Sequence, residues 1–148
     1  MTEEMQKKLQ AIYSEQQMTE NNVALMQQRL ELIQAYLNNY RSGLMVLNEL
    51  EGKKEGEEML INIGGSIFIQ AKIQEPSKVT RGIGSSVRIE QNLEEAKTAV
   101  QEQLTSLEKQ YNVVVEEYQK LLTHAQVLNA QFQQLASQMQ GQEENPGV

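Results

Sequence analysis

The residue types that this sequence lacks limit the chemistry it can perform. Its 148 residues include no cysteine, tryptophan or aspartate and a single histidine. Metal sites, disulfides, thiol chemistry and acid–base triads depend on those side chains, so we expect no enzyme activity, no metal and no other cofactor. Aromatic residues make up 5% of the chain and hydrophobic residues 39%. A thick globular core is therefore not expected.

Long hydrophobic runs and an excess of positive charge are also missing. No stretch approaches the roughly 18 apolar residues of a transmembrane helix, and the N-terminal MTEEMQKKLQ has no apolar signal core. The 13 basic and 20 acidic residues give a net charge of -7, and phosphate backbones repel such a surface. We expect a cytoplasmic protein that binds neither membranes nor nucleic acid.

Apolar residues do follow a heptad pattern at the start of the chain. Fourteen positions alternate spacings of three and four, and 11 of them are apolar. A seam this narrow is typical of a coiled coil rather than of a helix lying on a globular core. The pattern predicts a coiled-coil helix over residues 1–50. The seam consists of Thr2, Met5, Leu9, Ile12, Gln16, Thr19, Val23, Met26, Leu30, Ile33, Leu37, Tyr40, Leu44 and Leu47.

The second half of the chain repeats this pattern over residues 92–140. Asn92 followed by Glu95 is a capping-box pattern that marks the helix start. We expect residues 141–148 to form an acidic disordered tail after the helix ends. The second seam consists of Leu93, Lys97, Val100, Leu104, Leu107, Tyr111, Val114, Tyr118, Leu121, Ala125, Leu128, Phe132, Leu135 and Met139, of which only Lys97 is not apolar.

The two helices have matching lengths of about 70 Å each, at 1.5 Å per residue. Equal lengths favour pairing within one chain, in which case the helices run antiparallel and the chain termini meet. Two parallel coiled coils in a long dimer are the alternative that the heptads leave open.

Between the helices, over residues 57–90, the apolar residues no longer follow heptad spacing but recur at every second position. Apolar alternation is interrupted by IGGS and IGSS, which predicts two β-hairpins. A phosphate-binding loop is the alternative for these glycines, but no Lys-Ser/Thr pair follows and no long helix opens after the first turn. Tight hairpin turns explain them better. The predicted turn residues are Gly64, Gly65, Ser66, Gly84, Ser85 and Ser86.

The hairpins have too little to pack against within this chain. Burying an apolar side chain stabilises by about 1.5–3 kcal/mol, whereas ordering a residue costs about 1–2 kcal/mol of backbone entropy. Because both helices use their seams on each other, the hairpins need other subunits to complete their layer and edges. The residues predicted to form this assembly surface are Ile61, Ile63, Ile67, Phe68, Ile69, Ile73, Val79, Ile83, Val87 and Ile89.

The order helix, two hairpins, helix resembles the alpha-type subunit of the prefoldin family, across nearly the whole chain. Residues 61–68, INIGGSIF, are similar to the family's V-P-I-G-x-G-x-F segment. Residues 83–96 are similar to its V-G-x-G…V-E…EA stretch. The chain departs from these patterns at Ser66 and Ser86, where a second glycine is common, and at Asn62, where proline is common.

The resemblance implies an α+β fold in which strands from several subunits complete an oligomeric β-barrel. It also implies a hexamer of two alpha-type and four beta-type subunits, an ATP-independent holdase that passes unfolded proteins to a group II chaperonin. Client binding at the coiled-coil tips would fall on Met1, Met5, Leu9, Ile12, Leu128, Phe132, Leu135 and Met139. For Ile12 and Leu128 ordinary seam packing is an equal interpretation, and a structural spacer or filament subunit is the alternative function.

We expect two polar residues of the second helix, His124 and Lys97, to be in contact with solvent. His124 takes a heptad position at the edge of the seam, and we expect it to be a solvated helix residue. Lys97 lies on the seam, where we expect its ammonium group to reach water.

Overall fold

A computed structural model of the chain describes residues 2–143, and within them the predicted order of elements is confirmed. Along the chain, one long helix precedes and one follows two antiparallel hairpins. The elements are α1 (Glu3–Glu51), β1 (Glu58–Gly64), β2 (Ile67–Lys72), β3 (Lys78–Gly84), β4 (Val87–Asn92) and α2 (Leu93–Glu143).

The described residues form two compact units. The first contains residues 2–33 of α1 and 110–143 of α2. In it, the His124 ring nitrogen Nε2 lies 2.9 Å from Glu15 Oε1. Closer to the chain termini, Ile12 lines a shallow groove together with Leu135. Residues near the start of α1 thus lie beside residues near the end of α2, so the helices of this unit are antiparallel.

The second unit contains residues 34–109, which include both hairpins. Arg41 Nη2 lies 3.3 Å from Glu108 Oε1, and Lys97 Nζ lies 2.6 Å from Glu51 Oε2. As the α1 number rises, the α2 number falls, so the helices are antiparallel here too. Both units therefore have the intramolecular pairing that the equal helix lengths favour, rather than that of a long parallel dimer.

The heptad seams form the core between the helices. Every predicted seam position from Met5 to Leu47 and from Leu93 to Met139 is buried or half-buried, while most other helical positions are exposed. Thr2, at the end of the first seam, is exposed. The most deeply buried apolar seam residues are Ile33, Leu37, Leu93, Leu104, Leu107, Val114 and Leu128, and the seam residue Thr19 is buried as well.

The helix ends follow local capping chemistry. Asn92 Oδ1 accepts a hydrogen bond from the Glu95 backbone N–H at 2.8 Å, and Asn92 Nδ2 donates to Glu95 Oε1 at 3.1 Å. The predicted capping box is therefore present, with the Asn92 amide as the second donor. At its other end α2 continues to Glu143, three residues beyond the predicted end. The rest of the predicted tail, residues 144–148, lies outside the described residues.

Each hairpin is a separate two-stranded antiparallel sheet. In the first, Ile61 pairs with Ile69, and in the second, Arg81 pairs with Ile89. Both registers shift by one residue just before the turn, between Asn62 and Gly64 and between Gly82 and Gly84. The strands lie between the helices as expected for two hairpins, but β4 extends to Asn92, two residues beyond the predicted end of the hairpin segment at residue 90.

Candidate functional site

The hairpin turns adopt left-handed backbone geometry. Gly65 and Ser66 have φ angles of 59° each, and Ser85 and Ser86 have φ angles of 49° and 61°. Positive φ at both central residues is the requirement of a type I′ turn, whose twist matches the flanking strands. The serines therefore adopt the conformation for which the family pattern often uses glycine.

The glycine before each turn occupies the register shift. Gly64 has a φ of 102° and Gly84 a φ of 109°, values that residues with a Cβ rarely adopt. Asn62 Oδ1 accepts a hydrogen bond from the Gly64 backbone N–H at 2.9 Å. An asparagine side chain commonly stabilises a turn in this way, which explains how Asn62 replaces the proline of the family pattern.

Six of the ten predicted assembly residues present apolar side chains to solvent. Ile63, Ile67, Phe68, Ile69, Ile83 and Val87 are between 46% and 57% exposed. Ile61, Ile73, Val79 and Ile89 are half-buried. Leu60, which was not among the predicted residues, is 61% exposed. Its place in the strand alternation, on the same face as Phe68, was the signal that could have found it.

The strand edges add to this incomplete surface. Within residues 2–143, β1 pairs only with β2 and β3 only with β4. Each hairpin consequently has two outer edges with backbone groups that no strand of this chain pairs, and such edges readily accept another strand. A lone two-stranded hairpin is marginally stable in water.

The first hairpin also lines a groove with α1 inside the second unit. Leu60, Ile63 and Phe68 contribute on the hairpin side. Ser42, Gly43 and Met45 contribute on the helix side. The groove is open, and Met45 is exposed, so the apolar hairpin surface continues onto the helix.

Lys97 is held by an ion pair where α1 ends and α2 begins. Its side chain is only 15% exposed, and its Nζ donates a hydrogen bond to Glu51 Oε2 at 2.6 Å. The ammonium group thus binds a carboxylate of the facing helix, and this hydrogen bond is exposed to solvent. This hydrogen bond and the Lys97 charge lower the pKa of Glu51, and the same bond raises the pKa of Lys97.

The backbone at this junction is tied to the hairpins. The Leu93 N–H, at the start of α2, donates to the Ser77 carbonyl oxygen at 2.8 Å, and Leu93 is buried. Ser77 lies in the turn between the two hairpins. The direction in which α2 leaves the second hairpin is therefore set by a backbone bond and a packed side chain.

The predicted client-binding residues lie at the end of the first unit where α1 begins and α2 ends. Met5, Leu9, Ile12, Phe132, Leu135 and Met139 are half-buried. Leu128 is 2% exposed and is a seam residue. Met1 lies outside the described residues. The groove of this end combines Ile12 and Leu135 with Lys8, Ala11, Gln131, Gln134 and Gln138, so apolar seam atoms are reachable between long polar side chains.

His124 is exposed and hydrogen-bonded across the helices to Glu15. No group of three or more histidine or acidic side chains that could hold a metal ion occurs in residues 2–143. In the same residues, neither helix combines the length and apolar character that crossing a bilayer requires.

Apolar residues outside the seams were missed by the sequence reasoning. Met18, Leu25 and Leu32 are 63%, 60% and 55% exposed on the first unit. Their spacing of seven residues was visible in the sequence, but the stronger pattern of the main seam obscured it.

Comparison with known proteins places this arrangement in context. The family model described as "Prefoldin subunit" matches residues 19–138. The chain is 33% identical to the prefoldin subunit alpha of Methanococcus aeolicus over 89 residues, which are 60% of each protein. It is 26% identical to the prefoldin subunit alpha of Methanobrevibacter smithii over 138 residues, covering 93% of this chain and 94% of that protein.

Solved structures share the fold. Filamentous PFD from Methanocaldococcus jannaschii superposes with a TM-score of 0.62 at 19% identity, over 78% of this chain and 95% of that one. The prefoldin beta subunit from Thermococcus strain KS-1 superposes with a TM-score of 0.57 at 16% identity, over 86% and 90% of the two chains.

Proposed function

Because the chain belongs to the prefoldin family, we propose that it is the alpha-type subunit of an ATP-independent chaperone. In this proposal two copies assemble with four beta-type subunits in the cytoplasm. The complex captures unfolded proteins at the ends of its coiled coils and delivers them to a group II chaperonin. No nucleotide, metal or catalytic side chain takes part.

The observation that carries the proposal is the contrast between the two parts of the fold. The helices bury their seams on each other, whereas the hairpins leave six large apolar side chains about half exposed beside unpaired strand edges. Apolar patches with open edges mark surfaces that other subunits cover. Strands of neighbouring subunits closing a shared β-barrel would satisfy both the edges and the apolar face.

Client binding is proposed for the end of the first unit where α1 begins and α2 ends. Methionine and leucine there lie among glutamine and lysine side chains that can move aside. Flexible apolar surface of this kind suits clients that have no common sequence. Helix ends also fray more readily than helix centres, because their last backbone groups have no partner within the helix. Leu128 supports this end by packing rather than by contacting clients.

The experiment is removal of residues 1–10 and 139–148 from this subunit, followed by assembly with its beta-type partner. We expect the complex to form but to protect a denatured protein from aggregation less well, because Met5, Leu9 and Met139 are gone. Leu122→Ser, which removes an exposed apolar side chain elsewhere on α2, should protect normally. Undiminished protection by the truncated complex would contradict the client assignment. Open fibres instead of closed six-subunit particles in electron micrographs would favour the filament alternative.

A further inference from the structure

The groove at the end of the first unit is lined by more than apolar seam atoms. Ile12 and Leu135, which are half-buried, give it an apolar part. The other lining residues are exposed, and three of them are glutamines: Lys8, Ala11, Gln131, Gln134 and Gln138. We call the site formed by these seven residues the end groove.

The end groove is open because no bond closes the coil at this point. One heptad closer to the helix centres, Glu15 and His124 connect the two helices through their hydrogen bond. Lys8 lies seven residues before Glu15, and Gln131 lies seven residues after His124, so they hold the equivalent positions. Lys8 pairs instead with Glu4 of its own helix at 3.4 Å. The space between the helices is therefore accessible from this side.

The three glutamines present hydrogen-bonding groups on one face of α2. Gln131, Gln134 and Gln138 are three and four residues apart, and residues at this spacing are neighbours on a helix surface. Within residues 2–143 their amides form no side-chain hydrogen bond. Each amide has two N–H donors and a carbonyl acceptor. A row of donors and acceptors thus lies beside the apolar atoms of Ile12 and Leu135.

An extended polypeptide has the groups that this row can bind. On one side of an extended chain the backbone N–H and C=O groups recur at every second residue, about every 6.6 Å. Along α2 the steps between the glutamines are about 4.5 and 6 Å, and the long glutamine side chains can make up the difference. The end groove has a volume of about 440 Å³, which suits a few side chains rather than a folded domain.

We propose that the end groove binds an extended segment of an unfolded protein through its backbone. Gln131, Gln134 and Gln138 bond the peptide groups, and Ile12 and Leu135 contact one apolar side chain of the segment. The proposal rests on the proposed chaperone function and names the part of the client that is recognised. Every unfolded chain has unpaired peptide groups, whereas a folded protein pairs most of its own. Main-chain hydrogen bonds also give affinity that is independent of sequence.

Replacing the glutamines by methionine tests the backbone contact, because methionine has a similar length and helix propensity but no amide. The probe is a labelled, capped peptide of alternating serine and leucine, and the protein is the complex assembled with its beta-type partner. By fluorescence anisotropy, the triple variant Gln131→Met, Gln134→Met, Gln138→Met should bind this peptide roughly tenfold more weakly than wild type. Equal or tighter binding would mean that the end groove captures apolar surface alone, and would overturn the proposal.

Gln103→Met is the matched control for this variant. Gln103 is exposed, lies on the same helix and holds the same heptad position as Gln131, four heptads earlier. We expect the control complex to bind the peptide as wild type does. A tenfold loss at Gln103 as well would contradict the assignment of binding to the end groove.

Methylation of the peptide nitrogens identifies the recognised group. The methylated peptide has lost its N–H donors and should bind wild type several-fold more weakly, whereas the triple variant should bind both peptides equally. The same loss with both proteins would contradict backbone recognition. A wild-type complex that protects a denatured protein but does not bind the unmethylated peptide would refute the end groove and leave the proposed function intact. A complex that does neither would contradict both.

Discussion

At the residue scale, the hairpin turns place serine in a conformation that favours glycine. Ser66, Ser85 and Ser86 all have positive φ, and a left-handed residue with a Cβ is disfavoured by about 1–2 kcal/mol. The second hairpin has two such residues in succession. It adopts this turn because type I′ geometry matches strand twist, so strand pairing offsets the local strain.

Replacing Ser86 by glycine should therefore stabilise the second hairpin. We expect a gain of roughly 0.5–1 kcal/mol, since relief of strain exceeds the added chain entropy of glycine. Amide hydrogen exchange of β3 and β4 in the full chain measures it, because the hairpin can open locally. Ser77→Gly, in a turn where φ is not positive, is the control and should speed exchange. Faster exchange in Ser86→Gly would show that strain at this turn is not the dominant cost.

The ion pair of Lys97 with Glu51 shows how a seam accommodates a cation. Lys97 lies at a heptad core position with most of its side chain covered, and a carboxylate on the facing helix accepts a hydrogen bond from its ammonium group. Leaving that charge unpaired would be unfavourable. The lowered pKa of Glu51 makes the interaction sensitive to acid.

Glu51→Gln should remove this acid sensitivity. The folded-state pKa of Glu51 is below its ordinary value, so the pair stabilises the fold at pH values above about 4.3. That contribution is lost as pH falls through the lowered folded-state pKa. Unfolding in urea at a series of pH values should give a difference between wild type and Glu51→Gln that is largest near neutrality and shrinks in acid. A difference that does not change with pH would contradict the assigned cause.

At the element scale, the coiled coil divides its leucines sharply by heptad position. Leu128 is 2% exposed on the seam, whereas Leu122 on the same helix is 38% exposed. The hydrophobic effect depends on the area removed from water. Identical side chains six residues apart therefore contribute very differently to stability.

Leu128→Ala should lower the free energy of unfolding by about 3 kcal/mol, the usual loss when a buried leucine leaves a cavity. Leu122→Ala should lower it by less than roughly 1 kcal/mol, because its environment changes little. Urea unfolding followed by the helical signal compares the two variants. Similar losses at both positions would mean that the seam is not the core of this element.

At the scale of the whole molecule, the hairpins leave an apolar face uncovered and strand edges unpaired. The apolar face there and the open strand edges have no partner within residues 2–143. In the proposed assembly, strands of other subunits would cover both features.

Replacing Phe68 and Ile83 by serine should prevent assembly with beta-type subunits while both helices still form. The two side chains are more than half exposed in the single chain, so their loss costs the isolated subunit little. Each removes apolar area from the proposed contact. Light scattering after mixing with the beta-type partner gives the mass of the complex. Leu122→Ser is the control and should assemble normally, and a full-sized complex of the double variant would refute this surface.

Local patterns predicted most of the fold because they act over a few residues. Heptad spacing located both seams, and the Asn92 and Glu95 pair located the start of α2. Period-two alternation with Gly64 and Gly84 located the strands and turns. Contacts between residues that are distant in the chain were not predicted, because local patterns do not show what lies across from a residue. Lys97 pairs with Glu51, 46 positions away in the chain.

The sequence by itself determined the elements and their faces, since helix and strand periods and capping residues are properties of neighbouring positions. Only the tertiary structure decided which faces are covered. Burial depends on the facing helix or strand, so Leu128 is enclosed while Leu60 and Met18 are exposed. For the same reason, the turn serines could be recognised as left-handed only once the strands on either side were paired.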